Sequence, residues 1–287
     1  MRRLWAALSF LFLSCSGQAM PNFEPNDKGF LFLNEPSEQF SPNSRDVRFI
    51  TTAANNKNIM VYAHGGGGMG PGDRTRAQLF EKFGFDVLYF DAFAMNGVNG
   101  LWANRNLSDQ AKQQMVINVL VGAIQFANRK GYENIVLYGQ SNGARAILLV
   151  LNLLDETDKQ KIKLILSEAP ASFGNAYPAE IDIPTYFFVG DRDNWGGTHE
   201  TDLMWERWNP MTQSTSKRWY EEQVKLGKPV QLTVYPGAGH GFHHGAFRGI
   251  ERDMRAKGKI TGYAGANPDV VRQYEKDLKD IIRKILN

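Results

Sequence analysis

The chain has 287 residues, 43% hydrophobic and 22% charged, which suits one globular domain with a sizeable core. Its 33 Lys and Arg residues nearly match its 30 Asp and Glu residues, so the net charge is only +3. Such a balance provides no strong field for holding nucleic acid or an anionic membrane surface, and we expect a small molecule as the partner.

Residues 1–19 are predicted to be a signal peptide. Two arginines precede an apolar stretch that ends at Leu13, and small or polar residues follow up to Ala19, where cleavage is expected. The apolar stretch is too short to span a bilayer, so no stable membrane insertion is expected. The mature chain, residues 20–287, is then a single domain that is secreted or periplasmic. The alternative for this segment is a buried N-terminal helix.

Cys15 is the only cysteine, and it lies within the predicted signal peptide. Cleavage after Ala19 would leave a chain without cysteine, which excludes disulfides and a cysteine nucleophile. The alternative is lipid attachment at Cys15, because Ser14 before it is small, although Phe12 and Leu13 fit such a signal poorly.

After a Pro- and Asn-rich entry from Met20 to Asn58, short apolar runs alternate with stretches of helical period. The runs predicted as strands are Ile59–Ala63, Val87–Phe90, Ile135–Tyr138, Leu164–Leu166, Tyr186–Val189 and Leu232–Tyr235. The helical stripes cover 116–127, 144–154 and 271–285, and Asn267 with Pro268 marks the start of the last helix. The alternation predicts an α/β fold with a mostly parallel central sheet and helices on both faces.

The stretch from Trp195 to Lys228 interrupts this alternation. It holds four of the six tryptophans and has no strand-like run, so we interpret residues 195–228 as a Trp-rich excursion between two strands. Most of its aromatic side chains are expected to pack an extra helix onto the domain, because buried area dominates what such side chains contribute. Trp195 is the candidate that lines a substrate pocket.

Residues Gly139 to Gly143 form the motif Gly-x-Ser-x-Gly between a predicted strand and a predicted helix. This context fits a nucleophile elbow, a turn so tight that glycines must flank the serine. Ser141 is therefore the candidate nucleophile, and the N–H group of Asn142 is a candidate donor to an oxyanion. Arg145, on the following helix, either binds a substrate carboxylate or pairs with an acidic neighbour.

A serine nucleophile needs a base that takes its proton and a carboxylate that orients the base. His240 lies in a loop of small residues just past the last predicted strand, and we predict it as the base. The acid should follow a strand between Ser141 and His240. Asp193 is preferred there, whereas Asp191 is suited to cap the turn or to pair with Arg192. Glu168, at the end of the preceding strand, is a further alternative.

A Gly-rich loop follows the first predicted strand, where His64 precedes four glycines. Backbone N–H groups can approach an anion closely only where side chains are absent. Gly65 or Gly66 is therefore the candidate for a second oxyanion donor. His64 either orients this loop or has a structural role alone.

The same loop also matches the dinucleotide-binding pattern Gly-x-Gly-x-x-Gly over residues 65–70, and Asp91 ends the next predicted strand where a ribose acid is expected. Against this alternative, Pro71 and Gly72 are expected to delay the helix until Asp73 caps it. No helix N-terminus would then adjoin the glycines. The alternative also leaves the serine motif without a role.

With these residues assembled, the sequence resembles the dienelactone-hydrolase-like branch of the α/β-hydrolase family. The resemblance covers residues 58–287 and rests on five stretches in order: Val61–Gly68, Tyr89–Phe93, Gly139–Gly143, Gly190–Asp193 and Tyr235–Phe242. It implies the α/β-hydrolase fold, with Ser141, Asp193 and His240 in the triad roles.

Two departures limit what the resemblance implies. The dienelactone hydrolases proper are similar to cytoplasmic enzymes with a cysteine nucleophile, whereas this sequence has Ser141 and an export signal. The excursion over 195–228 also looks longer than the usual linker of the family. We therefore expect a pocket particular to this protein and do not carry over the narrow dienelactone substrate.

The sequence thus predicts a serine hydrolase that cleaves a small-molecule acyl ester through an acyl-enzyme, without a cofactor. No metal is expected, since His243 and His244 point apart and lack a carboxylate cluster. Peptidase, lipase, thioesterase and acyltransferase activities use the same site and are alternatives, and no oligomeric state follows. In a different class, a non-catalytic protein would use its tryptophans to hold a ligand, and an unreactive Ser141 would favour it.

Overall fold

The fold is given by a computed structural model that describes residues 23–25, 31–33, 45–53, 55–98, 107, 109–170, 180–193, 216–243, 252–256 and 259–286. The strands are β1 (Phe23–Pro25), β2 (Leu31–Leu33), β3 (Val47–Ile50), β4 (Asn58–Ala63), β5 (Asp86–Phe90), β6 (Asn134–Gln140), β7 (Ile162–Glu168), β8 (Thr185–Gly190), β9 (Val230–Tyr235), β10 (Arg252–Ala256) and β11 (Lys259–Ala264). The helices are α1 (Pro71–Lys82), α2 (Ala92–Met95), α3 (Asp109–Arg129), α4 (Asn142–Leu149), α5 (Glu156–Gln160), α6 (Ser216–Lys225) and α7 (Pro268–Leu286). The predicted signal peptide, Cys15 and Trp195 lie outside the described residues.

The central sheet has the strand order β3-β5-β4-β6-β7-β8-β9. Its strands are parallel except for β3, which pairs antiparallel with β5 at one edge. Parallel strands need crossover connections, and here the crossovers carry helices that cover the sheet. The predicted fold class, a mostly parallel sheet between helices, is confirmed.

The sheet is buried on both faces because successive side chains of a strand point to opposite sides. On β4, Ile59 and Val61 join the core beneath α3, α4 and α6, whereas Met60 and Tyr62 join the core beneath α1 and α7. All four side chains are 0–1% exposed. This two-sided burial explains why the predicted strands are short continuous apolar runs, and each of those runs lies within an observed strand.

The last helix begins as predicted. Asn267 Oδ1 accepts hydrogen bonds from the N–H groups of Asp269 and Val270, at 3.0 and 3.1 Å, and Pro268 occupies the first helical position. Tyr274 and Leu278 are fully buried against the sheet. α7 therefore covers the same face of the sheet as α1.

The expected start of α1 was wrong. The helix begins at Pro71, directly after Gly70, rather than being delayed to Asp73. Proline suits the first helical position, where its missing N–H would have no partner, and Asp73 accepts a hydrogen bond from the Gly70 N–H at 2.6 Å. A helix N-terminus therefore does adjoin the glycine loop, and this argument against a dinucleotide site does not hold.

Several parts of the fold were not predicted, among them β3 and the hairpin of β10 and β11. β3 lies in the Pro- and Asn-rich entry, and the hairpin of β10 and β11 lies between the predicted base and the last helix. Within the excursion, α6 carries Trp219, which is 4% exposed and packs edge-on against Phe187 at 5.6 Å between ring centroids. Trp219 thus has the packing role expected for most of these tryptophans.

Candidate active site

Ser141 lies at the turn between β6 and α4, at the carboxyl end of the sheet. Its backbone has φ 53° and ψ −114°, a left-handed conformation that L residues rarely adopt. A Cβ atom at Gly139 would collide with the Gly143 carbonyl group, and one at Gly143 would collide with the Ala63 carbonyl group. The flanking glycines therefore allow the sharp turn, which leaves Ser141 partly exposed.

Three side chains form a hydrogen-bonded chain at this turn. His240 Nε2 lies 2.9 Å from Ser141 Oγ, and His240 Nδ1 lies 3.0 Å from Asp193 Oδ2 and 3.1 Å from Oδ1. A carboxylate only accepts hydrogen bonds, so Nδ1 carries the proton and Nε2 is left to accept from the serine hydroxyl. The structure brings together the three residues that the sequence singled out from separate loops.

The electrostatic environment favours the protonated form of His240. Burial opposes a charge on the ring, which is 7% exposed, but the Asp193 carboxylate and its hydrogen bond, with a further contribution from Glu168, outweigh burial and raise the pKa of His240 above its ordinary value. A more basic imidazole accepts a proton from serine more readily.

The three carboxylates considered as the acid all contact the loop after β9, at different points. Asp193, 1% exposed, contacts His240, whereas Asp191 Oδ1 accepts from the Gly237 N–H at 2.7 Å. Glu168 contacts His243. Asp191 therefore contacts the backbone of the loop after β9, at Gly237, and the contact with His240 belongs to Asp193.

The glycine loop after β4 lies beside the nucleophile turn. A Cβ atom at Gly66 would stand 3.9 Å from Asn142 Cβ, and one at Gly65 would collide with the Gln140 side chain. His64 fixes the loop, because its Nε2 accepts from the Ala92 N–H at 3.0 Å and its Nδ1 therefore donates to the Gly65 carbonyl oxygen at 2.7 Å. The candidate oxyanion donors are thus near one another, and their role stays a prediction.

The carboxylate needed by the dinucleotide pattern is already engaged. Asp91 Oδ1 accepts from the N–H groups of Phe93 and Ala94, each at 3.1 Å, and so caps α2.

Of the other candidate site residues, Arg145 is 4% exposed on α4, next to the turn, and its substrate-binding role stays a prediction.

The hairpin of β10 and β11 supports the loop of His240, which the sequence analysis missed. The His240 N–H donates to the Tyr263 carbonyl oxygen and the Gly239 N–H to that of Gly265, both at 2.8 Å. The Arg192 guanidinium lies 3.4 Å from the centroid of the Tyr263 ring. The apolar residues of Lys259–Ala264 were the available signal for this strand.

Within the described ranges, no helix has the length and apolar character needed to cross a bilayer. The described side chains also include no cluster of three His, Cys, Asp or Glu residues placed to hold a metal ion. Among the described carboxylates, that of Glu168 contacts His243.

No protein-family model and no curated protein matches the sequence, but the fold is similar to that of solved structures. A candidate dienelactone hydrolase from Klebsiella pneumoniae subsp. pneumoniae MGH 78578 is 12% identical, with a TM-score of 0.56 over 81% of this chain and 90% of that chain. Esterase 2 from Thermogutta terrifontis, phosphoramylated by tabun, is 16% identical, with a TM-score of 0.55 over 83% and 89%. A dienelactone hydrolase-like promiscuous phosphotriesterase from metagenomic libraries is 10% identical, with a TM-score of 0.53 over 83% and 98%. The chain therefore has the α/β-hydrolase fold.

Proposed function

We propose that this protein is a serine hydrolase that cleaves small-molecule acyl esters. In this proposal Ser141 is the nucleophile, His240 the general base and Asp193 the acid that orients the base. The observation that carries it is the hydrogen-bonded chain from Ser141 Oγ through His240 to Asp193, at 2.9 and 3.0 Å. Each distance is within reach of direct proton transfer or orientation.

In the acylation half-reaction, Ser141 Oγ attacks the ester carbonyl carbon while its proton passes to His240 Nε2. The carbonyl oxygen becomes an oxyanion, and the N–H groups of Asn142 and of Gly65 or Gly66 are the proposed donors that stabilise it. His240 then gives its proton to the alcohol oxygen as the C–O bond breaks. The products of this step are the free alcohol and an ester of Ser141 with the acyl group.

In the deacylation half-reaction, water replaces the alcohol. His240 takes a proton from the water as its oxygen attacks the acyl carbon, and then returns a proton to Ser141 Oγ as the acid leaves. Asp193 stabilises the protonated imidazole in both half-reactions, in keeping with the raised pKa of His240. No other proton acceptor is needed for either step.

The names of the structural neighbours support an ester-cleaving reaction. They include an esterase, whose structure bears a phosphoramyl group from tabun, and a phosphotriesterase. Organophosphorus reagents of this type react with activated nucleophiles, because the nucleophile attacks their phosphorus atom as it would attack the acyl carbon of an ester. A fluorophosphonate is accordingly the reagent of choice here.

The test is labelling of the purified protein with a fluorophosphonate, followed by mass spectrometry of its peptides. We expect one adduct, on Ser141, and none in Ser141→Ala. Ser167→Ala is the matched control, since Ser167 is a fully buried serine on β7 that donates to the Ala144 carbonyl oxygen at 3.2 Å. This control should label as the wild type does. A folded wild type that stays unlabelled would contradict the proposal and favour a ligand-binding protein.

A further inference from the structure

A second histidine–carboxylate pair lies next to the site, on the side of the sheet that α1 and α7 cover. His243 Nε2 contacts the carboxylate of Glu168, and the Tyr138 hydroxyl donates to Glu168 Oε2 at 2.7 Å. Glu168 is 0% and His243 2% exposed. Burying a carboxylate and an imidazole is costly unless they are paired, so breaking this contact would disturb its surroundings.

Two helices hold His243 from the other side. Its ring is stacked on Tyr274 of α7, with centroids 4.1 Å apart and planes 4° apart. Its carbonyl oxygen accepts from Arg76 Nη2 of α1 at 3.0 Å, and the Arg76 guanidinium lies 5.2 Å from the Tyr274 ring centroid. His243 is thus fixed by β7, α1 and α7 together.

Glu168 contacts both the turn that carries Ser141 and the loop that carries His240. Its backbone carbonyl oxygen accepts from the Ser141 N–H at 2.9 Å, while its side chain holds His243 in the loop that carries His240. The other end of that loop is held by Asp191 through the Gly237 N–H. One residue of β7 therefore connects the backbone of the nucleophile to the loop of the base.

Several titratable groups of the neighbouring elements lie around the pair. The groups that interact electrostatically with Glu168 include Tyr62 of β4, Arg76 of α1, Tyr138 of β6, Tyr235 of β9, Tyr274 of α7 and His240, and Asp73 of α1 lies beside Tyr62. Burial raises the pKa of each of these tyrosines, so their hydroxyls are neutral at neutral pH. Burial lowers the pKa of His240, whereas Asp193 and, after it, the Glu168 carboxylate raise that pKa.

We infer that Glu168 and His243 are positioning residues whose contact holds His240 within reach of Ser141. The inference rests on the proposed function, because it assigns the pair a part in placing the proposed base. Neither side chain touches the reacting atoms. Their effect reaches the reaction through the His240 loop and through the charge of Glu168.

The test is the rate constant for fluorophosphonate labelling of Ser141, measured against pH for the wild type and Glu168→Gln. Gln keeps the shape of the side chain and an acceptor for Tyr138, but removes the charge. We expect the rate plateau to fall about tenfold to a hundredfold, because a displacement of about 1 Å in a reacting group costs on the order of a hundredfold. The acidic limb should move to lower pH, since one carboxylate that favours protonated His240 is lost.

His243→Gln and the double variant test the contact itself. If both residues act through one contact, the double variant should label no more slowly than the slower single variant. Losses that multiply would overturn the inference. Thermal unfolding, measured alongside, identifies the folded fraction, and the labelling rate is referred to that fraction.

Tyr62→Phe is the matched control. It removes a hydroxyl that donates to Asp73 in the same buried region, whereas the hydroxyl that donates to Glu168 belongs to Tyr138. Its labelling rate and pH profile should equal those of the wild type. Wild-type behaviour of Glu168→Gln would overturn the inference alone, whereas an unlabelled wild type would overturn the proposed function.

Discussion

His240 and His243 lie in one loop and each contacts a buried carboxylate, yet their surroundings differ. His240 directs Nε2 at the partly exposed Ser141, whereas His243 is enclosed between Glu168, the Tyr274 ring and the aromatic side chains near it. The same two chemical groups therefore meet at both positions of this loop, and of these two pairs the first reaches a nucleophile. A histidine that contacts a carboxylate through one ring nitrogen becomes a candidate base when a serine hydroxyl lies at the other ring nitrogen.

The loop itself explains how two such close histidines face different ways. Gly241 lies between them with φ 57°, a left-handed conformation that lets the chain turn after His240. Gly239 lies against β11, where a Cβ atom would collide with the Tyr263 carbonyl group. The small residues of the loop thus serve close backbone approach and a change of direction.

Replacing the carboxylate of the first pair should have the largest effect in this comparison. In Asp193→Asn the amide no longer fixes the tautomer with the proton on Nδ1, nor stabilises a protonated ring. We expect kcat/KM for p-nitrophenyl acetate to fall about 10⁴-fold, with the fold retained. The comparison variant is Glu168→Gln, with its smaller loss. A loss below tenfold in Asp193→Asn would show that another group orients His240.

The pH dependence of ester hydrolysis should report the raised pKa of His240. His240 must be neutral to accept the serine proton, so kcat/KM should fall about tenfold for each pH unit below its pKa. Because that pKa is raised, the midpoint of the acidic limb should lie above the ordinary histidine value of about 6.5. A pH profile of ester hydrolysis checks this, and a midpoint at or below 6.5 would contradict the expected influence of Asp193.

Much of this site could be predicted because its signals are local in sequence. The glycines at 139 and 143 mark the turn at Ser141 within five consecutive residues, and the buried strands are continuous apolar runs. Asp191 and Asp193 were both found from their place after β8. The structure adds which of the two contacts His240.

The rest depended on contacts between distant parts of the chain. Glu168 was considered as an acid and His243 as a metal ligand, but their contact follows from the order of β6, β7 and the loop after β9, which periodicity does not show. The edge strand β3 has two exposed positions in succession, so it lacks a clear period of two. The start of α1 could have been predicted from Pro71, which favours a first helical position.

Replacing Asp191, the third carboxylate that contacts the His240 loop, should have the smallest effect on kcat/KM. Asp191→Ala removes one charge-assisted hydrogen bond, to the Gly237 N–H, which we expect to cost about 1–2 kcal/mol of stability. If the lost hydrogen bond also makes the His240 loop less well placed, kcat/KM should fall by no more than about tenfold, since 1.4 kcal/mol corresponds to roughly tenfold. Thermal unfolding and kcat/KM for p-nitrophenyl acetate, measured on the same preparation, separate the two effects. The expected order of rate losses is then Asp193, Glu168 and Asp191, and a larger loss at Asp191 than at Glu168 would show that the start of the loop, rather than His243 at its end, sets the position of His240.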